Sequence, residues 1–299
     1  MEDYIKGRGA QINTPNRFTK QERVLEHFEG IDELTEPDPG TEVSFDYPKQ
    51  IVNKVESTDL PFLYSLNPYQ GCEHGCAYCY ARNAHNYWGL SAGLDFERKI
   101  IVKPEAAKLL EDFINKKNYV PATMSLSGNT DCYQPLERTY KITRSLLEVF
   151  LKHRHPVGII TKNALILRDL DLLEEMASMQ LVRVYISITT LDEELRRVLE
   201  PRTSSSQNRL KTIQTLTSHG VPTGVMTAPV IPGLNSDEIP DLLRAAAEHG
   251  AMAAGYTMVR LNGDVKDIFA DWLKKNYPDA ANKVWNQIRS AHGGSVSDS

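Results

Sequence analysis

The chain has 299 residues, with 34 Lys and Arg against 39 Asp and Glu and a formal net charge of −5. Hydrophobic residues make up 41% and charged residues 24%; this is enough for a real core, so a mostly disordered protein is excluded, and the acidic balance argues against a surface that coats nucleic acid. No apolar run approaches the ~20 residues of a membrane span, and the opening MEDYIKGRGAQINTPNRF does not read as a signal peptide, so the expected compartment is the cytoplasm.

Residues 1–60 are polar, and Pro15, Pro37, Pro39 and Gly40 argue against long helices there. They read as an N-terminal extension that wraps or caps the core, with a mobile tip running from Gly7 to Arg17. From about residue 61 short apolar runs alternate with helix-period segments. Strands are expected over 63–66, 123–126, 157–161, 182–188, 223–228 and 253–259, and helices over about 104–116, 136–152, 164–179, 206–219, 235–249 and 264–290. Such alternation means parallel strands joined by right-handed crossovers. Six strands suit an open partial (β/α)6 TIM-type barrel, an α/β fold, over 61–262, followed by a C-terminal helical tail over 263–299.

Three of the four cysteines, Cys72, Cys76 and Cys79, fall in one loop with C-x3-C-x2-C spacing, while Cys132 stands apart. A disulfide framework would spread its cysteines through a smaller secreted chain, whereas a cluster of thiols in a cytosolic-type chain holds metal. The loop follows the first barrel strand, at the end where α/β folds place their chemistry. Three thiolates can ligate three irons of a four-iron cubane and leave the fourth iron for a substrate or cofactor. Gly71 and Gly75 let the loop wind tightly around a bulky group. A zinc site made of Cys72, Cys76, Cys79 and either His74 or His85 is the alternative, as is an iron–sulfur centre that only carries electrons.

With Tyr78 before the third cysteine, this loop resembles that of the radical S-adenosylmethionine (SAM) superfamily. The resemblance runs from about residue 62 to 260. It is closest to the spore photoproduct lyase-like branch; the GRGAQINTPNRF opening and the SGNTDCYQPLE segment resemble an uncharacterised bacterial group within it. The resemblance implies a [4Fe-4S] cluster on Cys72, Cys76 and Cys79 with SAM bound at the open iron. It also implies an electron donor of the flavodoxin or ferredoxin type, and reductive cleavage of SAM to methionine and a 5′-deoxyadenosyl radical that attacks a substrate C–H.

The resemblance also suggests cofactor contacts. Tyr78 covers the adenine side and Tyr80 is a second aromatic. The family's common Gly-Gly-Glu is missing after the second strand, leaving Ser127, Asn129, Thr130 and Asp131 as the polar substitutes. Lys162 matches the lysine that meets the methionine carboxylate. Ser187 matches a polar contact, Ile231 lies in the run that packs on adenine, and Arg202 is placed to reach ribose or carboxylate. Each also has an ordinary structural reading as a packed aromatic, a turn residue or a surface ion pair. Cys132 is read either as a hydrogen-atom donor beside the radical or as a buried small hydrophobe. Tyr133 is read as a radical-quenching or substrate-stacking residue, and Asp131, Gln134 and Glu137 as polar substrate contacts. The branch's hydrogen-donating cysteine aligns with Asn129, and its C-terminal DNA-reading hairpin is replaced here by a helical, Asp-rich tail. Lys141, Arg144 and Lys152 share a helix face, and Arg154, Arg196 and Arg197 add charge nearby, but a solvated helix surface is the simpler reading. The substrate is therefore left open, with nucleic acid disfavoured.

Overall fold

A computed structural model describes residues 4–16, 18, 40–55 and 62–297. Arg17, Pro37 and Pro39 lie outside the described residues. The strands are β1 (Glu42–Phe45), β2 (Val52–Lys54), β3 (Tyr64–Leu66), β4 (Tyr69–Gln70), β5 (Lys99–Val102), β6 (Met124–Leu126), β7 (Val157–Thr161), β8 (Val182–Ser187), β9 (Thr223–Val230) and β10 (Ala254–Met258). The helices are α1 (Leu94–Arg98), α2 (Ala106–Ile114), α3 (Glu137–Tyr140), α4 (Ile142–Lys152), α5 (Leu170–Ser178), α6 (Glu193–Leu199), α7 (Ser206–Ser218), α8 (Ile239–Glu248), α9 (Val265–Asn276) and α10 (Ala281–Ala291).

The main sheet runs β10-β9-β8-β7-β6-β3-β2. From β3 to β10 every pairing is parallel, which gives the six expected barrel strands; β2 adds an antiparallel edge beside β3. Residue alternation sets the two faces of this sheet. Val157, Ile159, Val182, Val184, Ile186 and Val225 belong to the main core beneath the helices. The opposite face carries Gly158, Ile160, Arg183, Tyr185 and Ser187, none of which joins that core. This second face is the inside of the open barrel.

Several sequence expectations are corrected in detail. The stretch 264–290 is two helices, not one, because Pro278 cannot supply an amide to a continuing helix. The stretch 136–152 breaks at Lys141, whose φ of 53° is left-handed. A second sheet, β1-β5-β4, has too short and irregular a pattern to read from sequence. The segment from Gly7 expected to be mobile is largely packed: Arg8, Gly9, Ala10, Gln11 and Thr14 are buried. Among the described residues no helix is long and apolar enough to cross a membrane.

The C-terminal helices α9 and α10 build a second core. Phe269, Trp272, Val284 and Ile288 pack with Leu195, Leu199 and Ile231 against Cys76, Ala77 and Tyr78. The indole of Trp272 donates to the carbonyl of Val198 at 2.8 Å. The tail thus buttresses the cysteine loop from below.

Candidate active site

The cysteine loop is wound by short backbone contacts. Gly75 N–H donates to the Cys72 carbonyl, Cys79 N–H to Cys76 and Arg82 N–H to Cys79, while Cys72 N–H is held by the Phe96 carbonyl at 2.9 Å. Gly75 has φ +68°, and a Cβ there would meet the Glu97 carboxylate at 2.8 Å. A Cβ on Gly9 would stand 1.7 Å from the Gly75 carbonyl oxygen, so the two glycines let one backbone lie on the other. Arg82, fully buried, donates to the Cys76, Ala92 and Gly93 carbonyls and pairs with the fully buried Glu97. Glu97 in turn accepts from the Gly9 and Ala10 amides at 3.2 and 2.7 Å. This buried pair has all its partners, the condition under which an ion pair survives desolvation.

Cys72 and Cys76 are buried and Cys79 is half-buried. Burial pushes the Cys76 thiol well above its ordinary value; the Glu200 carboxylate and the other two cysteines add to this, and the Lys162 ammonium opposes it. Burial likewise raises Cys79, opposed by Arg82 and Lys162. Three mutually close, dry thiols need a cationic group to become thiolates, and an iron–sulfur cluster fits that donor set.

Above the loop, Lys162 leaves the end of β7. Its ammonium donates to Ser187 Oγ at 3.0 Å and lies 5.9 Å from the Tyr78 ring centroid. Tyr78 OH donates to Glu200 and lies 3.3 Å from Thr189 Oγ1. Glu200 is fully buried and pairs with Arg209 at 2.6 Å. Burial alone would raise this carboxyl, but the charges of Arg209 and Lys162 and the Thr189 and Tyr78 hydroxyls hold it down at about 2. Asp192 caps α6 and Ser205 caps α7, which places Glu200 and Arg209 on facing ends of two short helices. Nothing in the spacing of Glu200 or Arg209 marked them in the sequence.

Tyr78, Lys162, Ser187 and Ile231 therefore converge on the cysteine loop, Ile231 sharing the apolar cluster of Cys76 and Tyr78. Tyr80 is exposed, and its hydroxyl donates to the Gly128 carbonyl at the rim. Ser127, Asn129 and Thr130 brace the neighbouring loop. Ser127 Oγ accepts from Cys132 N–H, Asn129 donates to Gln70, and Thr130 Oγ1 donates to the Tyr69 carbonyl. Asp131 is the hub of that loop: it accepts from Thr161 Oγ1 and Lys162 N–H at 2.7 and 2.8 Å and faces His74 at 3.4 Å. Burial opposes charge on both partners, yet their attraction prevails, lowering Asp131 to about 2 and raising His74 to about 10. His74 is thereby engaged by Asp131 and Asn163. Arg202 lies on the flank, 3.5 Å from Glu73.

The structure does not bring Cys132 or Tyr133 to this site, which corrects the expectation of a thiol beside the radical. Both are fully buried in the main core. Burial holds both well above their ordinary values, and the Tyr133 hydroxyl donates to Asp169. Glu137 is likewise spent on Tyr69 and Arg168, and Gln134 on the Gly71 carbonyl and Glu73 amide. Arg144 pairs with Asp169 and Asp171 and Lys152 with Glu111, so that helix face is not a free basic patch.

Comparison with known proteins agrees with this geometry. The sequence profile of the radical SAM superfamily matches residues 66–246. An uncharacterised protein of Mycobacterium tuberculosis is 33% identical over 238 residues, 79% of this chain and 70% of its own length. One from Methanocaldococcus jannaschii is 28% identical, covering 78% of this chain and 84% of its own length. Among solved structures, spore photoproduct lyase complexed with dinucleoside spore photoproduct superposes with a TM-score of 0.59 at 17% identity, over 79% of this chain and 66% of that one. SuiB of Streptococcus suis bound to precursor peptide SuiA gives 0.52 at 18% identity, over 77% and 46%. The chain thus spans just under two thirds of the lyase and less than half of SuiB. With its barrel, its cysteine loop and a family match across more than half its length, the chain belongs to the radical S-adenosylmethionine superfamily of enzymes.

Proposed function

We propose that Cys72, Cys76 and Cys79 hold a site-differentiated [4Fe-4S] cluster, with which the chain cleaves SAM reductively to a 5′-deoxyadenosyl radical that abstracts hydrogen from a C–H bond of an organic substrate. The observation that carries this reading is Lys162: its ammonium is held by Ser187, lies beside Tyr78, and is close enough to act on Cys76 and Cys79. When bound and reduced, the cluster supplies the electron that breaks the C5′–S bond, giving methionine and a 5′-deoxyadenosyl radical. The chain's own residues do the positioning. Lys162 presents a positive charge to the methionine carboxylate, and Ser187 fixes that ammonium. Tyr78, locked through Glu200, offers its ring to adenine, and Ile231 supplies an apolar wall. Tyr80 closes the rim, while Ser127, Asn129 and Thr130 hold the loop in shape. The electron comes from a flavodoxin- or ferredoxin-type donor. The reacting core lies within 61–262; of the flanking segments, Gly9 and Ala10 and the helices α9 and α10 pack against its cysteine loop.

Two other readings are disfavoured. The C-x3-C-x2-C spacing brings three thiols from one loop, which suits a cubane better than a tetrahedral zinc ion, whose ligands usually come in pairs from two separate turns. An electron carrier would need no lysine held by Ser187 beside Tyr78. The test is anaerobic reconstitution followed by reduction. About four irons per chain and SAM-dependent release of 5′-deoxyadenosine are expected. A cluster without cleavage, or one tightly held zinc, would overturn the reading. Lys162→Ala is expected to weaken SAM binding about tenfold or more, the scale of a charge-assisted hydrogen bond, while iron content stays unchanged; equilibrium dialysis with labelled SAM measures it.

A further inference from the structure

Two glycines interrupt the strands on the inner face of the barrel, and the cofactor reading has no use for either. Gly224 stands in register with Tyr185 across β8 and β9, and Gly255 with Met226 across β9 and β10. A Cβ on Gly224 would lie 2.6 Å from Tyr185 Cε1 and 2.9 Å from its Cδ1, and also 2.9 Å from the Ala253 carbonyl oxygen. A Cβ on Gly255 would lie 3.0 Å from Met226 Cε and 3.1 Å from its Sδ. Strand side chains ordinarily stand away from the sheet. Here the ends of two long ones reach the backbone of the next strand, so both lie along the sheet, and both lean towards β10. Glycine inside a strand weakens it, and its usual reason is the close approach of another group. Ile160 stands in register beside Tyr185 on the same face. Ile160, Tyr185 and Met226 are half-buried, and none of them joins an apolar core cluster of the described residues. The three side chains make one uncharged, apolar surface open to the barrel interior. It is continuous with the cofactor end. Met226 is in register with Ser187, the residue that holds Lys162, and Tyr185 precedes Ser187 by two positions, ~7 Å at the usual rise.

We infer that this platform receives an uncharged aromatic ring of the substrate, held between the Tyr185 ring and the Met226 thioether, and that these two side chains select the substrate. The inference rests on the enzyme reading above and names its substrate class. A tyrosine ring pairs with a second ring in offset or edge-to-face geometry, and a thioether sulfur packs favourably at a ring edge. Both preferences are specific to an aromatic guest, whereas an alkyl chain would gain only the burial of its surface. Laying the two side chains down over Gly224 and Gly255 clears the height that such a guest needs. Because the platform adjoins Ser187, the ring sits beside the cofactor end, and the reacting C–H belongs to the ring's own substituent.

The test titrates indole and, separately, its saturated counterpart cyclohexanol against the cluster-loaded full chain under nitrogen, followed by NMR of isotope-labelled methionine methyl groups. The Met226 resonance is the one missing from Met226→Leu. Indole is expected to move it saturably in the wild type, through the ring current of a guest beside the methyl group, and cyclohexanol to bind at least about threefold more weakly. Tyr185→Ala should weaken indole at least about fivefold, whereas Tyr185→Phe, which keeps the ring, should retain most of the affinity. Gly255→Val should lift Met226 off the sheet and weaken indole while leaving Tyr185 in place. A Met226 resonance that indole leaves unmoved, equal affinity for cyclohexanol, or a Tyr185→Ala variant that binds indole as the wild type does would overturn the inference. Reductive cleavage of SAM by the same wild-type preparation separates the two layers. Ring binding without cleavage sinks the enzyme reading alone, and cleavage without ring binding sinks only the platform.

Discussion

Cys76→Ala is expected to leave a folded chain that holds less than about one iron and releases 5′-deoxyadenosine at least ~100-fold more slowly than the wild type. Cys72→Ala and Cys79→Ala should behave alike, because each thiolate supplies one corner of the same cluster and no neighbouring side chain stands in for it. His74 borders Cys72, but its imidazole is held on both nitrogens by Asp131 and Asn163. Cys132→Ala is the contrast. Its sulfur lies fully buried in the main core, so its removal costs packing, about 1 kcal/mol, and leaves iron and cleavage intact. Iron assay, visible absorption and product chromatography on the four variants make the comparison. Iron loss in Cys132→Ala as severe as in the triad would show that the thiol reaches the cluster.

The second large effect is expected at Glu200→Gln. The wild-type carboxylate sits at about 2 against an ordinary 4.5. At ~1.4 kcal/mol per pH unit that difference corresponds to about 3 kcal/mol, the lower edge of the ~3–5 kcal/mol lost when one partner of a buried ion pair is removed. The amide leaves Arg209 buried and unneutralised, and it loosens the hydroxyl grip on Tyr78 and Thr189. Tm should fall by roughly 5–10 °C near neutral pH. The sign of the pH dependence follows from the depressed value. The contribution is complete above the unfolded value of 4.5 and is lost as pH falls towards about 2. The Tm gap between variant and wild type should therefore stay constant from pH 8 to 5 and narrow in acid. A gap that widens in acid would mean that Glu200 is not the anion of the pair.

The barrel was largely legible in the sequence because its strands fall in short apolar runs with helix-period segments between them. The span 157–161 agrees with the observed strand to the residue. Tyr78, Lys162, Ser187 and Ile231 follow strand ends or the cysteine motif, where local pattern and position coincide. Cys132 and Tyr133 show the limit of that reasoning. A loop at the reactive end of a barrel has two sides, and only tertiary packing decides which side a given residue faces. Glu200, Arg209, Arg82 and Glu97 were illegible for a related reason. Their spacing carries no motif, 9 positions for Glu200 and Arg209 and 15 for Arg82 and Glu97, and the pairs form only because the loops between them turn the partners inward.

The seam between Gly9 and Gly75 bears on how the protein matures. Glu97 receives the Gly9 amide across 88 positions of chain, a non-local contact whose closure entropy makes it slow to form. The N-terminal segment through Gly9 lies on the backbone of Gly75, so a cluster held by Cys72, Cys76 and Cys79 would be covered on that flank.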